Sequence, residues 1–177
     1  MKIFKYCFLF IFLFIIPIKG NTQENMITKD EIVQVQNEWG DGVVAIGKTF
    51  LKKGDYQRKA KEFIKKFYAY NLGTVLFKPT KTKVHQFRST KEGALSYFVN
   101  KNKEYPEDKG FALEPWTSVR FEDQAFYIKN KFAIVMGNYY FTPQKGKDIK
   151  VEFTFGYIKD DMGKLKIILH HSSLPYK

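Results

Sequence analysis

The second half of the chain constrains the fold most. From residue 117 to 173 it reads as short apolar segments, "TSVRFED", "AFYIKN", "KFAIVMGNYYFT", "IKVEFTFGYI" and "KLKIILHHSS", broken by turns such as "PQKGK" and "KDDMG". Strands joined so closely must run antiparallel, because a parallel return needs a crossover of a dozen residues or more. In "IKVEFTFGYI", Ile149, Val151, Phe153, Phe155 and Tyr157 alternate onto one face, and that face has to be covered. In "KFAIVMGNYYF" both faces are apolar or aromatic. The outer one is too greasy to stand in water over a large area, and pairing of two copies through it is the expected resolution.

The cover for the inner face comes from the first half. Thr28 and Glu31 have capping-box spacing, and Ile32, Val35, Trp39, Val43, Ile46 and Phe50 recur every three or four residues, the signature of a long one-sided helix. Gly40, Gly42 and Gly47 interrupt it at about 1 kcal/mol each relative to alanine, so close approach is expected there. Gly54 stops it. A second helix carries Ala60, Phe63, Ile64 and Phe67 on one side, "GTVLFKPT" is a short strand ended by Pro79, and Ser89 with Glu92 repeats the capping spacing before a third helix, "GALSYFV". Three helices followed by a meander give an α+β domain, helices on one face of a curved antiparallel sheet.

The first twenty residues carry Lys2 and Lys5, an apolar run from 6 to 16, then Pro17 and Gly20. This is the layout of a secretory signal, too short to span a bilayer with ease. Residues 1–20 are therefore expected to be removed, leaving a single domain over 27–177 with no stable membrane span, secreted and periplasmic. The one cysteine, Cys7, leaves with the signal, which removes disulfides, thiolate metal sites and cysteine nucleophiles together. The chain is basic, with 30 Lys+Arg against 18 Asp+Glu, but its lysines are scattered among acids and form no block of like charge. A solvated cationic shell, not a nucleic-acid surface, is the expectation.

The chemistry concentrates at the end of the chain. Of three histidines, two stand side by side in "LHHSS". Adjacent strand residues face opposite ways, so the pairs are His170 with Ser172, in phase with Lys164, Lys166 and Ile168, and His171 with Ser173, in phase with Leu165, Ile167 and Leu169. The fully apolar line favours the second pair as the inward one. Two histidines on opposite faces plus His85 in a loop-like stretch do not make the three-ligand set of a catalytic zinc, and neither H-x-x-E nor H-E-x-x-H occurs.

"NEWGDGVVAIGKTF", "GTVLFKPTK", "FRSTKEGALSYFV", "EDKGFALEPWTSVRFE", "MGNYYFT" and "VEFTFGYIKDDMGKLKIILHHSSLPY" resemble the iota-class carbonic anhydrases over the whole mature chain. These are similar in turn to the association domain of calcium/calmodulin-dependent protein kinase and to the nuclear-transport-factor-2-like, or cystatin-like, cone. The resemblance implies a cone with a pocket between long helix and sheet, a homodimer, and reversible hydration of carbon dioxide to bicarbonate. It implies catalytic roles for Thr80, Tyr97 and the His and Ser within His170, His171, Ser172 and Ser173, the histidine accepting a proton and the hydroxyls holding water and bicarbonate oxygens. No cofactor is implied; a version dependent on zinc or manganese is the alternative. Leu169 stands where a common variant has the first of three consecutive histidines, which weakens any histidine-built metal site.

Other classes fit the same cone: a non-catalytic oligomerising association module, or a binder or isomerase of small apolar ligands. The latter needs an inward acid or base, for which the strands offer Glu122 and Glu152. Tyr139, Trp116, Phe121 and Tyr157 are read as core.

Overall fold

The structure is a computed structural model that describes residues 26–100 and 102–176; the expected signal and Cys7 lie outside the described residues. Helix α1 (Lys29–Leu51) begins at the expected capping box. The Thr28 hydroxyl accepts the Glu31 backbone N–H at 3.2 Å, and the Glu31 carboxylate accepts the Thr28 backbone N–H at 2.8 Å. Ile32, Trp39, Val43 and Ile46 are buried as their spacing requires, while Phe50, at the helix end, stays 39% exposed. Helix α2 (Tyr56–Phe67) is capped by Asp55 and buries Ala60, Phe63, Ile64 and Phe67. It lies so close to α1 that a Cβ on Gly42 would sit 2.6 Å from the Phe63 ring. Helix α3 (Lys91–Val99) is capped by Thr90, which accepts from the Gly93 N–H, and not by the expected Ser89. The two hydroxyls are neighbours, and Thr90, with its extended backbone, takes the cap.

Strands β1 (Leu76–Lys78), β2 (Trp116–Lys129), β3 (Phe132–Pro143), β4 (Ile149–Lys159) and β5 (Leu165–Ser173) form one sheet in the order β1-β5-β4-β3-β2. All neighbours are antiparallel except β1, which runs parallel to β5. "TSVRFED" and "AFYIKN", expected as two strands, are one: β2 continues through a register shift between Glu122 and Ala125, with Asp123 at φ 52°. A bulge of this kind bends a strand without ending it. The expected α+β cone is what forms, and its aromatic core lies between the helices and the inner sheet face.

Two loops are tied beside α3. The Arg88 guanidinium meets the Asp108 carboxylate at 2.7 Å, with neither side chain exposed. The Glu107 carboxylate accepts the backbone N–H groups of Lys83, Val84 and His85, which holds it below the usual carboxylate range.

Candidate active site

The terminal strand decides the site, and a bulge decides the strand. On β5, Ile167 pairs with Tyr157 and Leu169 with Gly156, so Ile168 has no partner opposite. One extra residue reverses the alternation. Leu165 and Ile167 point inward before the bulge; His170 and Ser172 point inward after it, 3% and 1% exposed. The expectation that His171 and Ser173 face the pocket is thereby corrected. His171 is exposed on the outer face, and the Ser173 hydroxyl donates to Glu152 at 3.2 Å.

His170 and Ser172 line a cavity with Trp39, Phe77, Pro79, Thr80, Tyr97, Phe98, Phe111 and Tyr139. Thr80 and Tyr97 thus converge with the inward pair, as expected. Parallel pairing of β1 sets Phe77 beside His170, ring on ring at 4.5 Å, and the chain then turns at Pro79 to bring Thr80 in. The Lys78 amine donates to the Ser172 carbonyl at 3.0 Å, tying the two strands at the site. Tyr97 comes from α3, stacked on Phe111 at 5.5 Å. The cavity measures about 10 Å³, the scale of a single water.

Its polar groups form one chain. The Trp39 indole N–H donates to the Tyr68 hydroxyl at 3.2 Å. That hydroxyl is 2.8 Å from His170 Nδ1, His170 Nε2 is 2.9 Å from Ser172 Oγ, and Ser172 Oγ is hydrogen-bonded to the Tyr139 hydroxyl. Thr80 lines the same cavity as Tyr139. Tyr68 holds its place because it ends α2 and bridges to Ile167 just before the bulge. Tyr68 and Tyr139 were not among the expected site residues, since buried aromatics read as core; Tyr139 is core and site at once.

Burial sets the charge states. It drives His170 well below the ordinary imidazole value, with His171 adding to the effect. It raises Tyr68, Tyr97 and Tyr139 above the ordinary phenol range. All four are neutral near pH 7, and the phenols remain O–H donors. Such donors, fixed in a site walled by aromatic rings, stabilise negative charge that develops on oxygen far better than water does.

The cavity adjoins a wider groove. Tyr97 and Phe111 also line an outer groove of about 310 Å³ with Lys81, Glu107, Asp108, Lys109 and Glu114. The Lys81 amine and Glu114 carboxylate meet there at 2.6 Å. Glu122 and Glu152, the candidate acids for an apolar-ligand enzyme, are both exposed and line no part of the inner cavity. Among the described residues, no three His, Cys, Asp or Glu side chains group as a metal site, and no helix is long and apolar enough to cross a membrane.

Comparison with known proteins identifies the family. The chain is 46% identical over 154 residues to a metal-independent carbonic anhydrase of Nostoc sp., covering 85% of this chain and 75% of that protein. It superposes with a TM-score of 0.83 and 44% identity on the crystal structure of a cyanobacterial iota-carbonic anhydrase complexed with bicarbonate, covering 86% of this chain and 95% of that one. A calcium/calmodulin-dependent protein kinase II association-domain protein from Xanthomonas campestris matches at 22% identity and a TM-score of 0.58, over 83% of this chain and 87% of that one. That third likeness shows the shared fold alone, the nuclear-transport-factor-2-like cone. Residues 30–174 match the family described as metal-independent carbonic anhydrase, and the chain belongs to that family.

Proposed function

We propose that this chain hydrates carbon dioxide reversibly to bicarbonate without a metal, the cavity beneath α1 holding the attacking water and the substrate approaching it from the outer groove that shares Tyr97 and Phe111. The observation that carries the reading is the meeting of Thr80, Tyr97, Tyr139, His170 and Ser172 in one small aromatic-walled cavity. Carbon dioxide is apolar overall with partial negative charge on its oxygens, so aromatic walls admit it and O–H donors orient it. A water held by the hydroxyls attacks the carbon. The new C–O bond forms, one C=O electron pair moves onto oxygen, and that oxygen's charge is met by the donors. The proton lost from the water leaves past Tyr97 to the outer groove, where bulk water receives it.

The family resemblance and the identity to the Nostoc enzyme support the reaction. Stopped-flow carbon dioxide hydration by the folded protein tests it: a rate above that of buffer is expected, and a rate equal to buffer overturns the reading.

The expected dimer and location belong to the same proposal. The outer sheet face exposes Tyr127 and Met136, and a groove of about 400 Å³ crosses it beside His171; a second copy covers this face. Sedimentation of the protein at a mass of two chains is expected, and a monomer at micromolar concentration overturns it. The apolar N-terminal run supports export to the periplasm, to be read by cell fractionation.

A further inference from the structure

The hydrogen-bond chain behind the cavity has a direction. An indole N–H is a donor only, so Trp39 donates and Tyr68 accepts. The hydrogen of Tyr68 then points elsewhere, and the acceptor placed for it is His170 Nδ1, at 2.8 Å. A neutral imidazole that accepts at Nδ1 carries its proton on Nε2. Nε2 lies 2.9 Å from Ser172 Oγ. Ser172 then accepts from His170 and directs its own hydrogen to Tyr139, whose hydrogen is left for Thr80 or for a molecule in the cavity.

The reverse order fails on one atom. If Nδ1 carried the proton, Tyr68 would accept from both Trp39 and His170, and its own hydrogen would stand without an acceptor in a fully buried place, which is costly. The imidazolium meets the same obstacle and lacks a counter-ion. The groups packed on the ring are Trp39 from α1, Tyr68 from the end of α2, Phe77 from β1 and Phe155 from β4, with Tyr139 of β3 at 3.5 Å from Nε2. Tyr97 of α3 lines the same cavity, in which no carboxylate takes part. The neighbouring His171 points to the other face of the sheet.

We infer that Tyr68, oriented by Trp39, is a positioning residue that locks His170 as the neutral Nε2–H tautomer. The imidazole then drives a line of donors into the cavity and is not the acceptor of the proton released in hydration. This deepens the proposed carbonic anhydrase reading and rests on it for its meaning, but its test does not depend on activity.

The test is long-range 1H–15N correlation of the histidine rings in the full, unmodified protein. His170 is expected to show a pyridine-type Nδ1 and a pyrrole-type Nε2, unchanged from pH 8 down to pH 6. A pyrrole-type Nδ1, or an imidazolium forming with an ordinary midpoint, overturns the inference whatever the enzyme does. In Tyr68→Phe the ring loses its partner, and the two nitrogens are expected to move toward exchange-averaged positions. kcat is then expected to fall at least roughly tenfold with KM little changed, since a histidine in the wrong tautomer is a poor catalyst even when its geometry survives. A Tyr68→Phe protein that keeps both its nitrogen shifts and its kcat also overturns the inference. If Tyr68→Phe does not fold, the unmodified protein alone decides. Absence of hydration with the expected nitrogen pattern removes the enzymatic reading and leaves the tautomer standing.

Discussion

Gly156 of β4 faces Leu169 of β5 so closely that a Cβ on the glycine would lie 2.9 Å from the Leu169 Cβ. That contact sits at the register shift which turns His170 and Ser172 inward. Gly156→Ala is therefore expected to push the strands apart at the bulge. Overpacking of this kind costs about 1–3 kcal/mol, and the hydration rate should fall by more than the loss of folded protein explains. Thermal unfolding together with stopped-flow hydration separates the two effects.

Ser172→Ala removes the link between His170 and Tyr139. The hydration rate is expected to drop on the order of a hundredfold, as when one preorganised donor is deleted from an oxyanion site. Stability should fall by about 1–3 kcal/mol because buried partners are left unpaired. His171→Ala and Ser173→Ala, on the outer face, should leave the rate within about twofold at protein concentrations where the assembly is intact. Equal losses for both pairs would contradict the assignment of faces.

Stability should decline on both sides of neutrality. His170 is held below its unfolded value of about 6.5. Above that pH the ring is neutral in both states; as pH falls below it, the unfolded chain takes up a proton that the native state refuses. The native state then loses up to about 1.4 kcal/mol per pH unit from this group. Tyr68, Tyr97, Tyr139 and Tyr157 are raised in the native state, so their contribution is complete below about pH 10 and is lost as pH rises further. Urea midpoints measured from pH 4 to 11 check both limbs, and His170→Phe should flatten the acid one.

Exhaustive chelation followed by metal analysis should leave hydration at its original rate, as membership of a metal-independent family requires. Restoration of a lost rate by zinc or manganese would overturn this expectation.

Asp108→Asn breaks a pair with no solvent on either side. A loss of about 1–3 kcal/mol is expected, since it removes the nearer partner of the buried Arg88 charge and leaves Glu107, at 3.8 Å, as its remaining carboxylate. Because Asp108 also lines the outer groove with Tyr97, the surviving folded fraction should hydrate more slowly. Denaturant titration and active-fraction kinetics measure the two parts.

The start of helix α1 was legible, because the Thr28–Glu31 capping box and the recurrence of Ile32, Trp39, Val43 and Ile46 express the same local physics twice. The strands were legible from alternation, and Thr80, Tyr97, His170 and Ser172 from their place in a known pattern. The inward face was not. Ile167, Ile168 and Leu169 are three apolar residues in a row, and a bulge placed among them leaves no polar mark of the slip. Tyr68 and Tyr139 were hidden for another reason. Their hydroxyls find partners 102 and 33 residues away, and pairing at such separation is a property of the folded sheet. Between Ser89 and Thr90 both residue types were acceptable caps, and only the folded chain shows Thr90 in that role.

Although β5 comes last among the strands, it is flanked by β4 on one side and β1 on the other. A segment so enclosed cannot fray independently of its neighbours. Its amides should therefore exchange with deuterium among the slowest in the molecule, and the groups it sends into the cavity inherit the rigidity of an interior girder.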